Sequence, residues 1–220
     1  MYVIIVKKLL RGVLVLAVVG AFLVMSFLLI ILPGPDSSLV IQNSIMHGKK
    51  AGAQTVLGSV SGLLIHTAAA VLGLSAILMK SEMLFTVLKY VGAAYLIYIG
   101  VSALLSLRHK QQPDEVIVEG KQKSFFLQGF ITCASNPKVA VFFLTFLPQF
   151  VQPEYNHMLQ FALMGLAYAV MTIIWFFLYV YLIDLFSIWL RKPVVARSIQ
   201  GCTGIVLLIF GITLAFEKSL

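Results

Sequence analysis

Two charged side chains interrupt long apolar stretches of this chain, each beside a helix-breaking motif. Asp36 follows a proline–glycine–proline run at 33–35, and Lys138 follows an asparagine–proline pair at 136–137. Ionisable groups at membrane depth are costly and usually functional. A carboxylate there could attract a substrate ammonium group, carry a coupling proton or cap a helix. The lysine could bind a substrate carboxylate or form a structural ion pair with Asp36.

Further polar side chains extend this candidate site. His66 lies midway along an apolar segment, where an imidazole could relay a proton or form a packing hydrogen bond. His66 and Asp36 are therefore the candidates for proton coupling. The predicted substrate-binding residues are Asp36, Asn136, Lys138, Gln42 and Asn43. We predict no catalytic residues, no metal ligands and no cofactor.

The composition shows which elements must position these residues. The chain is 60% apolar and only 11% charged, with a mean hydropathy of +1.01. Soluble domains carry about 25% charged residues, so we expect lipid to solvate this chain. The net charge of +8 does not indicate nucleic acid, because the basic residues cluster between the apolar segments. Its two cysteines, without CxxC spacing, predict neither a zinc site nor a disulfide framework.

Six apolar segments are long enough to cross a membrane, since a span needs about 20 residues. They are residues 13–32 (continuing into 37–46), 52–78, 84–107, 125–151, 158–186 and 199–216. The first lacks a small-residue cleavage site and is interpreted as a retained helix rather than a signal peptide. The domains are an N-terminal half at 1–107, a polar linker at 108–124, predicted to be cytoplasmic, and a C-terminal half at 125–220.

The predicted breaks suggest an internal repeat. Pro33 and Pro35 lack an N–H, and Gly34 permits unusual backbone angles, so a continuous helix there is unfavourable. Pro137 repeats this logic in the fourth segment. An ordinary loop to a surface helix is the alternative at the first motif. Three spans per half place the halves in opposite orientations. The predicted fold is an all-α integral membrane protein, with six transmembrane helices as two inverted three-helix repeats and broken first and fourth helices.

Loop charges set the expected orientation. With both ends of the chain outside, nine Lys and Arg residues fall in the inner loops and five in the outer ones. The positive-inside rule favours this arrangement, although the N-terminal basic cluster at 7–11 opposes it.

An ordered set of motifs resembles the LysE/RhtB family of amino-acid exporters, closest to its homoserine/threonine exporter branch. The resemblance covers residues 13–216. The motifs are Pro33-Gly34-Pro35-Asp36, His47-Gly48-Lys49-Lys50-Ala51-Gly52, Gly58 with Gly62 and His66, Lys89-Tyr90-Val91-Gly92, Asn136-Pro137-Lys138, and Phe146-Leu147-Pro148-Gln149-Phe150. The resemblance implies a multi-pass protein of the bacterial inner membrane. It also implies efflux of amino acids or related metabolites, driven by ion gradients rather than ATP.

The leading hypothesis is secondary active export of a small zwitterion by an antiporter that is not an enzyme. Its expected partners are a small-molecule amino-acid substrate and membrane lipid, with no nucleic acid, and a homodimer remains open. Export of a cation or metal is disfavoured by the few interior thiol or carboxylate ligands. A membrane thiol–disulfide relay would need paired redox cysteines, whereas Cys133 and Cys202 are far apart in sequence. A non-transporting scaffold would not need Asp36 and Lys138.

Overall fold

Helices account for the regular structure throughout the parts of the chain that the computed structural model describes. These are residues 2–32, 34–75, 82–107, 124–152, 154–183 and 193–216. The helices are α1 (Tyr2–Ile31), α2 (Pro35–His47), α3 (Lys49–Ala69), α4 (Glu82–Ser106), α5 (Phe125–Ala134), α6 (Pro137–Val141), α7 (His157–Tyr181) and α8 (Pro193–Phe216). After α3 the chain continues as a π-helix, Ala70–Leu74. After α6 it continues as a π-helix, Phe142–Phe146, and a 3₁₀-helix, Leu147–Phe150.

Several of these helices have the length and apolar composition of membrane spans. Lys49–Leu74 and His157–Tyr181 qualify as continuous helices. Two bent pairs also qualify, each as one broken span: Val15–Ile31 with Pro35–His47, bent by 51°, and Phe125–Ala134 with Pro137–Phe150, bent by 46°. Shorter apolar stretches lie in α4 and α8. The all-helical membrane class is confirmed, whereas the count of six spans in inverted repeats stays a prediction.

Glycines let the helices approach closely at two crossings. In the α3–α5 crossing, a methyl group at Gly58 would lie 1.9 Å from the Phe126 carbonyl oxygen. A methyl group at Gly129 would lie 2.1 Å from the Thr55 carbonyl oxygen. In the α4–α8 crossing, a methyl group at Gly100 would lie 2.9 Å from the Gly204 carbonyl oxygen. Small residues of this kind are typical where transmembrane helices pack by van der Waals contact.

Helices from the N-terminal part of the chain pack against helices from its C-terminal part. One such pair is α3 with α7. Likewise α4 contacts α8. In addition, α3 packs along α5, and α2 contacts α3, α5 and α7. The contact of α2 with α5 thereby brings the elements beside the two helix breaks together.

The linker prediction falls largely outside the described residues, since only Ser124 of 108–124 is described. Pro33 is also outside them. The helices of the second and sixth apolar segments, α3 and α8, begin earlier than the apolar pattern predicted, at Lys49 and Pro193. In α3 the difference lies in the polar first turn with Lys49 and Lys50, and in α8 the polar pair Arg197-Ser198 interrupts the apolar pattern before residue 199.

Candidate functional site

The first break separates α1 from α2. Between them Gly34 is fully extended, with φ −162° and ψ −179°. Its N–H donates to the Ser37 hydroxyl oxygen, and the Ser37 hydroxyl donates to the Gly34 carbonyl, both at 3.0 Å. Pro35 occupies the first helical position, where its missing N–H costs no hydrogen bond. Asp36 therefore lies in the first turn of α2.

The second break separates α5 from α6. Asn136 is the N-cap of α6, where its Oδ1 accepts the Lys138 backbone N–H at 3.0 Å. Pro137 occupies the first helical position, as Pro35 does in α2. Both breaks thus follow the same local rule, in which a proline starts the second helical segment and a charged side chain follows it.

A hydrogen bond joins the two breaks. The Asn136 side-chain amide donates to Asp36 Oδ2. Both side chains are buried, with 7% of Asp36 and 2% of Asn136 exposed. The other carboxylate oxygen, Asp36 Oδ1, is also buried but accepts no hydrogen bond from any described residue. A buried, unsatisfied carboxylate oxygen is costly, and it marks a place where a ligand or proton could bind.

Lys138 contacts the backbone of the first break, whereas the sequence suggested either a substrate carboxylate or an ion pair with Asp36. Its ammonium donates to the Leu29 carbonyl at 3.1 Å and to the Leu32 carbonyl at 3.0 Å. These carbonyls lie at the end of α1, where the break removes their partners four residues onward. Among the described residues no ion pair of 4.0 Å or less joins Lys138 to Asp36. A methyl group at Gly34 would lie 3.0 Å from the ammonium, so glycine leaves room for it.

His66 meets the second break. Its Nε2 lies 3.0 Å from the Cys133 carbonyl oxygen. Since a carbonyl only accepts, Nε2 carries the proton of this hydrogen bond. The same carbonyl accepts the Asn136 backbone N–H at 3.0 Å. The His66 ring also lies 6.0 Å from that of Phe143. His66 thus caps the end of α5 from the opposite half of the chain.

A narrow, partly open cavity lies where these elements meet. Its empty space is about 370 Å³ including its mouth. The polar lining residues are Asp36, Ser37, Ser59, Cys133, Lys138, Tyr168 and Thr172. The apolar ones are Leu29, Ile30, Leu63, Val139 and Phe176. Of the predicted substrate-binding residues, Asp36 and Lys138 line this pocket, and Asn136 orients Asp36 from beside it.

Gln42 and Asn43 lie further along α2 and are not among the pocket-lining residues. The Asn43 amide donates to the Thr55 hydroxyl at 2.9 Å and to Gln128 Oε1 at 3.3 Å. Asn43 is seven residues beyond Asp36, which is about 10 Å along a helix axis. It therefore links α2, α3 and α5 at a separate place. Gln42 is partly exposed on the same helix.

Residues of α7 complete the pocket, and the sequence did not point to them. Tyr168 and Thr172 lie one turn apart, with Phe176 one turn further on the same face. The Tyr168 ring packs against Phe142 at 4.9 Å and Phe143 at 5.5 Å between centroids. A four-residue spacing of polar side chains could have suggested this face. However, an unbroken apolar helix offers no second signal.

The site does not have the composition of a metal or redox centre. No group of three or more His, Cys, Asp or Glu side chains occurs among the described residues. Both cysteines are free thiols, Cys133 buried in the pocket wall and Cys202 exposed on α8. A thiol–disulfide relay needs two sulfurs in reach of each other, which this arrangement does not provide.

Comparison with known proteins identifies relatives over most of the chain. The family model described as LysE type translocator matches residues 27–218. An uncharacterized membrane protein of Bacillus subtilis (strain 168) is 34% identical, covering 87% of this chain and 95% of that one. The homoserine/homoserine lactone efflux protein of Salmonella typhi is 27% identical, covering 90% of this chain and 96% of that one. The protein of the same name from Salmonella typhimurium is 26% identical over 90% of this chain and 96% of its own length. No solved structure matches the chain.

Proposed function

Because this chain belongs to the LysE family of translocators, we propose that it exports amino acids or closely related amines from the bacterial cytoplasm in exchange for protons. Membership of this family makes the chain a multi-pass inner-membrane transporter rather than an enzyme. The substrate class and the proton coupling are the proposal. Relatives named as efflux proteins for homoserine and its lactone support the substrate class.

The buried oxygen Asp36 Oδ1 is the observation that carries the proposal. It lines the pocket and receives no hydrogen bond from a described residue. A substrate ammonium group would supply both the missing hydrogen bond and a neutralising charge. In the absence of substrate, a proton would do the same. One oxygen that either a proton or an ammonium group can occupy, but not both, provides the exclusive binding that exchange requires.

The arrangement of the breaks supports an alternating-access mechanism. In inverted-repeat transporters, broken helices from the two halves form the site, and one repeat moves against the other. Here Asp36 and Asn136, one from each break, form a direct hydrogen bond. The contacts α3–α7 and α4–α8 pair equivalent helices. We therefore propose six spans in two inverted repeats, with the Asp36 pocket between them.

Efflux from preloaded cells tests the proposal. Cells expressing the chain are loaded with a panel of amino acids, and efflux is followed with and without a proton gradient. Asp36→Asn removes the charge at nearly constant shape, and Glu154→Gln makes the same chemical change at an exposed turn. We expect Asp36→Asn to reach the membrane but lower efflux roughly tenfold or more, since a charge-assisted hydrogen bond is lost. Glu154→Gln should behave as wild type. Normal efflux by Asp36→Asn would overturn the assignment.

A further inference from the structure

We propose, building on the function above, that the pocket recognises its substrate by the ammonium group and does not require a free carboxylate. In this interpretation Lys138 and His66 are positioning residues that cap the broken helices, and Asp36 provides the only charge that reads the substrate. The substrate class is then small primary amines with a free or masked carboxyl group, including esters, amides and lactones as well as amino acids.

The hydrogen bonds of Lys138 support a capping role for this side chain. An ammonium group has three N–H donors, and two of them bind the Leu29 and Leu32 carbonyls. Those carbonyls end α1, where a positive charge is favoured by the helix dipole. In a water-poor environment, each would be costly to leave without a donor. Turning Lys138 towards a substrate carboxylate would break both bonds, so the geometry assigns its charge to the backbone.

His66 makes the reciprocal contact, so at both breaks a side-chain nitrogen caps the end of the first helical segment. Lys138 of the second half caps the end of α1, whereas His66 of the first half caps the end of α5 at the Cys133 carbonyl. Each break is thus closed by a nitrogen donor from the opposite half. Backbone carbonyls therefore occupy His66 Nε2 and two of the three N–H groups of Lys138.

Three of the four hydroxyl groups that line the pocket, all but that of Tyr168, are committed in the same way. The Thr172 hydroxyl donates to the Tyr168 carbonyl at 2.9 Å, and the Ser59 hydroxyl to the Gly129 carbonyl at 3.4 Å. The Ser37 hydroxyl donates to the Gly34 carbonyl at 3.0 Å. Their oxygens keep acceptor capacity, and Asp36 Oδ1 adds an ionisable acceptor. Because backbone carbonyls already occupy most of these donors, the pocket fits an ammonium group better than a carboxylate.

Matched ligands distinguish binding through the ammonium group of the substrate from binding through its carboxylate. Purified protein in detergent is titrated with L-threonine and L-leucine, each as the free acid, the methyl ester and the N-acetyl derivative, and affinity is obtained from thermal stabilisation. The titrations are run near pH ~6, where the amines are protonated. We expect ester and acid to bind within about threefold of each other, and the N-acetyl compounds to lose roughly tenfold or more.

Two results would overturn the inference: esters that bind roughly tenfold more weakly than the acids, as loss of a charged contact predicts, or no stabilisation by any of the amines.

Lys138→Met and Lys138→Arg add a second test through the ratio of acid to ester affinity. A capping role predicts an unchanged ratio with a lowered melting temperature for Lys138→Met, whereas a carboxylate-binding role predicts selective loss of the acid. If Lys138→Met does not fold, the wild-type and Lys138→Arg ratios still decide. Efflux of free amino acids remains a separate measurement, so rejected esters would leave the proposed function standing.

Discussion

Individual side chains at the breaks hold the site together by making two contacts each. Asn136 accepts the Lys138 N–H through Oδ1 and donates to Asp36 through its amide. The first contact starts α6, and the second orients the carboxylate. Because one side chain does both, its replacement by alanine would not separate capping from carboxylate orientation. The aspartate variant does separate them, since aspartate is as good an N-cap as asparagine.

Asn136→Asp should therefore retain the helix cap and lose the transport site. The new carboxylate would face Asp36, where like charges in contact are strongly unfavourable. We expect efflux to fall roughly tenfold or more and the melting temperature to drop. Asn156 is a matched control because it caps α7 by accepting the Leu159 N–H at 2.9 Å at an exposed position. If Asn136→Asp and Asn156→Asp behaved alike in efflux assays, Asn136 would have no role in orienting Asp36.

His66→Gln tests whether His66 is a cap or the coupling group. A glutamine amide can donate to the Cys133 carbonyl but cannot take up a proton at neutral pH. Because the hydrogen bond to the Cys133 carbonyl is kept, we expect efflux within about threefold of wild type, which is a difference of under ~1 kcal/mol. Efflux should still depend on the proton gradient. His66→Leu, which removes the donor, should cost about 1 kcal/mol of stability. Efflux by His66→Gln that no longer responded to the gradient would make His66 the proton carrier instead.

At the scale of elements, the breaks could be predicted from local chemistry in the sequence, whereas the long-range contacts could not. Proline and glycine placed the interruption before Asp36 and before Lys138, because their backbone preferences act within a few residues. The contact between Lys138 and the Leu29 carbonyl spans 109 residues and depends on how α1 and α6 pack. Lys89 gives a second example. A lysine within an apolar segment gives no sequence signal for full burial, yet only 5% of Lys89 is exposed.

The α3–α5 crossing yields a prediction at this scale. A methyl group at Gly58 would meet the Phe126 carbonyl oxygen at 1.9 Å, so the helices would have to separate. We expect Gly58→Ala to destabilise the protein by about 1–3 kcal/mol, the usual cost of overpacking. Gly20→Ala is the control, since a methyl group there has no atom within 4 Å. It should be neutral or stabilising by up to ~1 kcal/mol. Melting temperatures in one detergent compare them, and equal values would contradict the close approach.

For the whole molecule, the reciprocal caps mean that neither half completes its own broken helix. Lys138 caps the end of α1 and His66 caps the end of α5, so separating the halves would remove a hydrogen-bond donor from the end of each of these helices. The alternating access proposed above would therefore need a motion that keeps the breaks together. Rocking about the Asp36–Asn136 contact fulfils this condition, since the caps lie beside it. The proposed inversion of the two halves is a separate point, which the membrane topology can test.

Reporter fusions test whether the second half has an odd number of spans, as an inverted repeat of three-span halves requires, because three spans would place the linker at 108–124 and the C-terminus on opposite sides. The inner loops carry nine Lys and Arg residues against five, which favours a cytoplasmic linker and an external C-terminus. Lys49 also binds the Tyr181 carbonyl at 3.1 Å, which places the α2–α3 turn and the end of α7 on one side. A phosphatase that is active only outside should work after Leu220, and a cytoplasmic fluorescent protein should work within the linker. Exchanged activities would reverse the orientation but keep an odd number of spans in the second half. Activity of one reporter at both positions would require an even number of spans in the second half, and the inverted repeat would then be wrong.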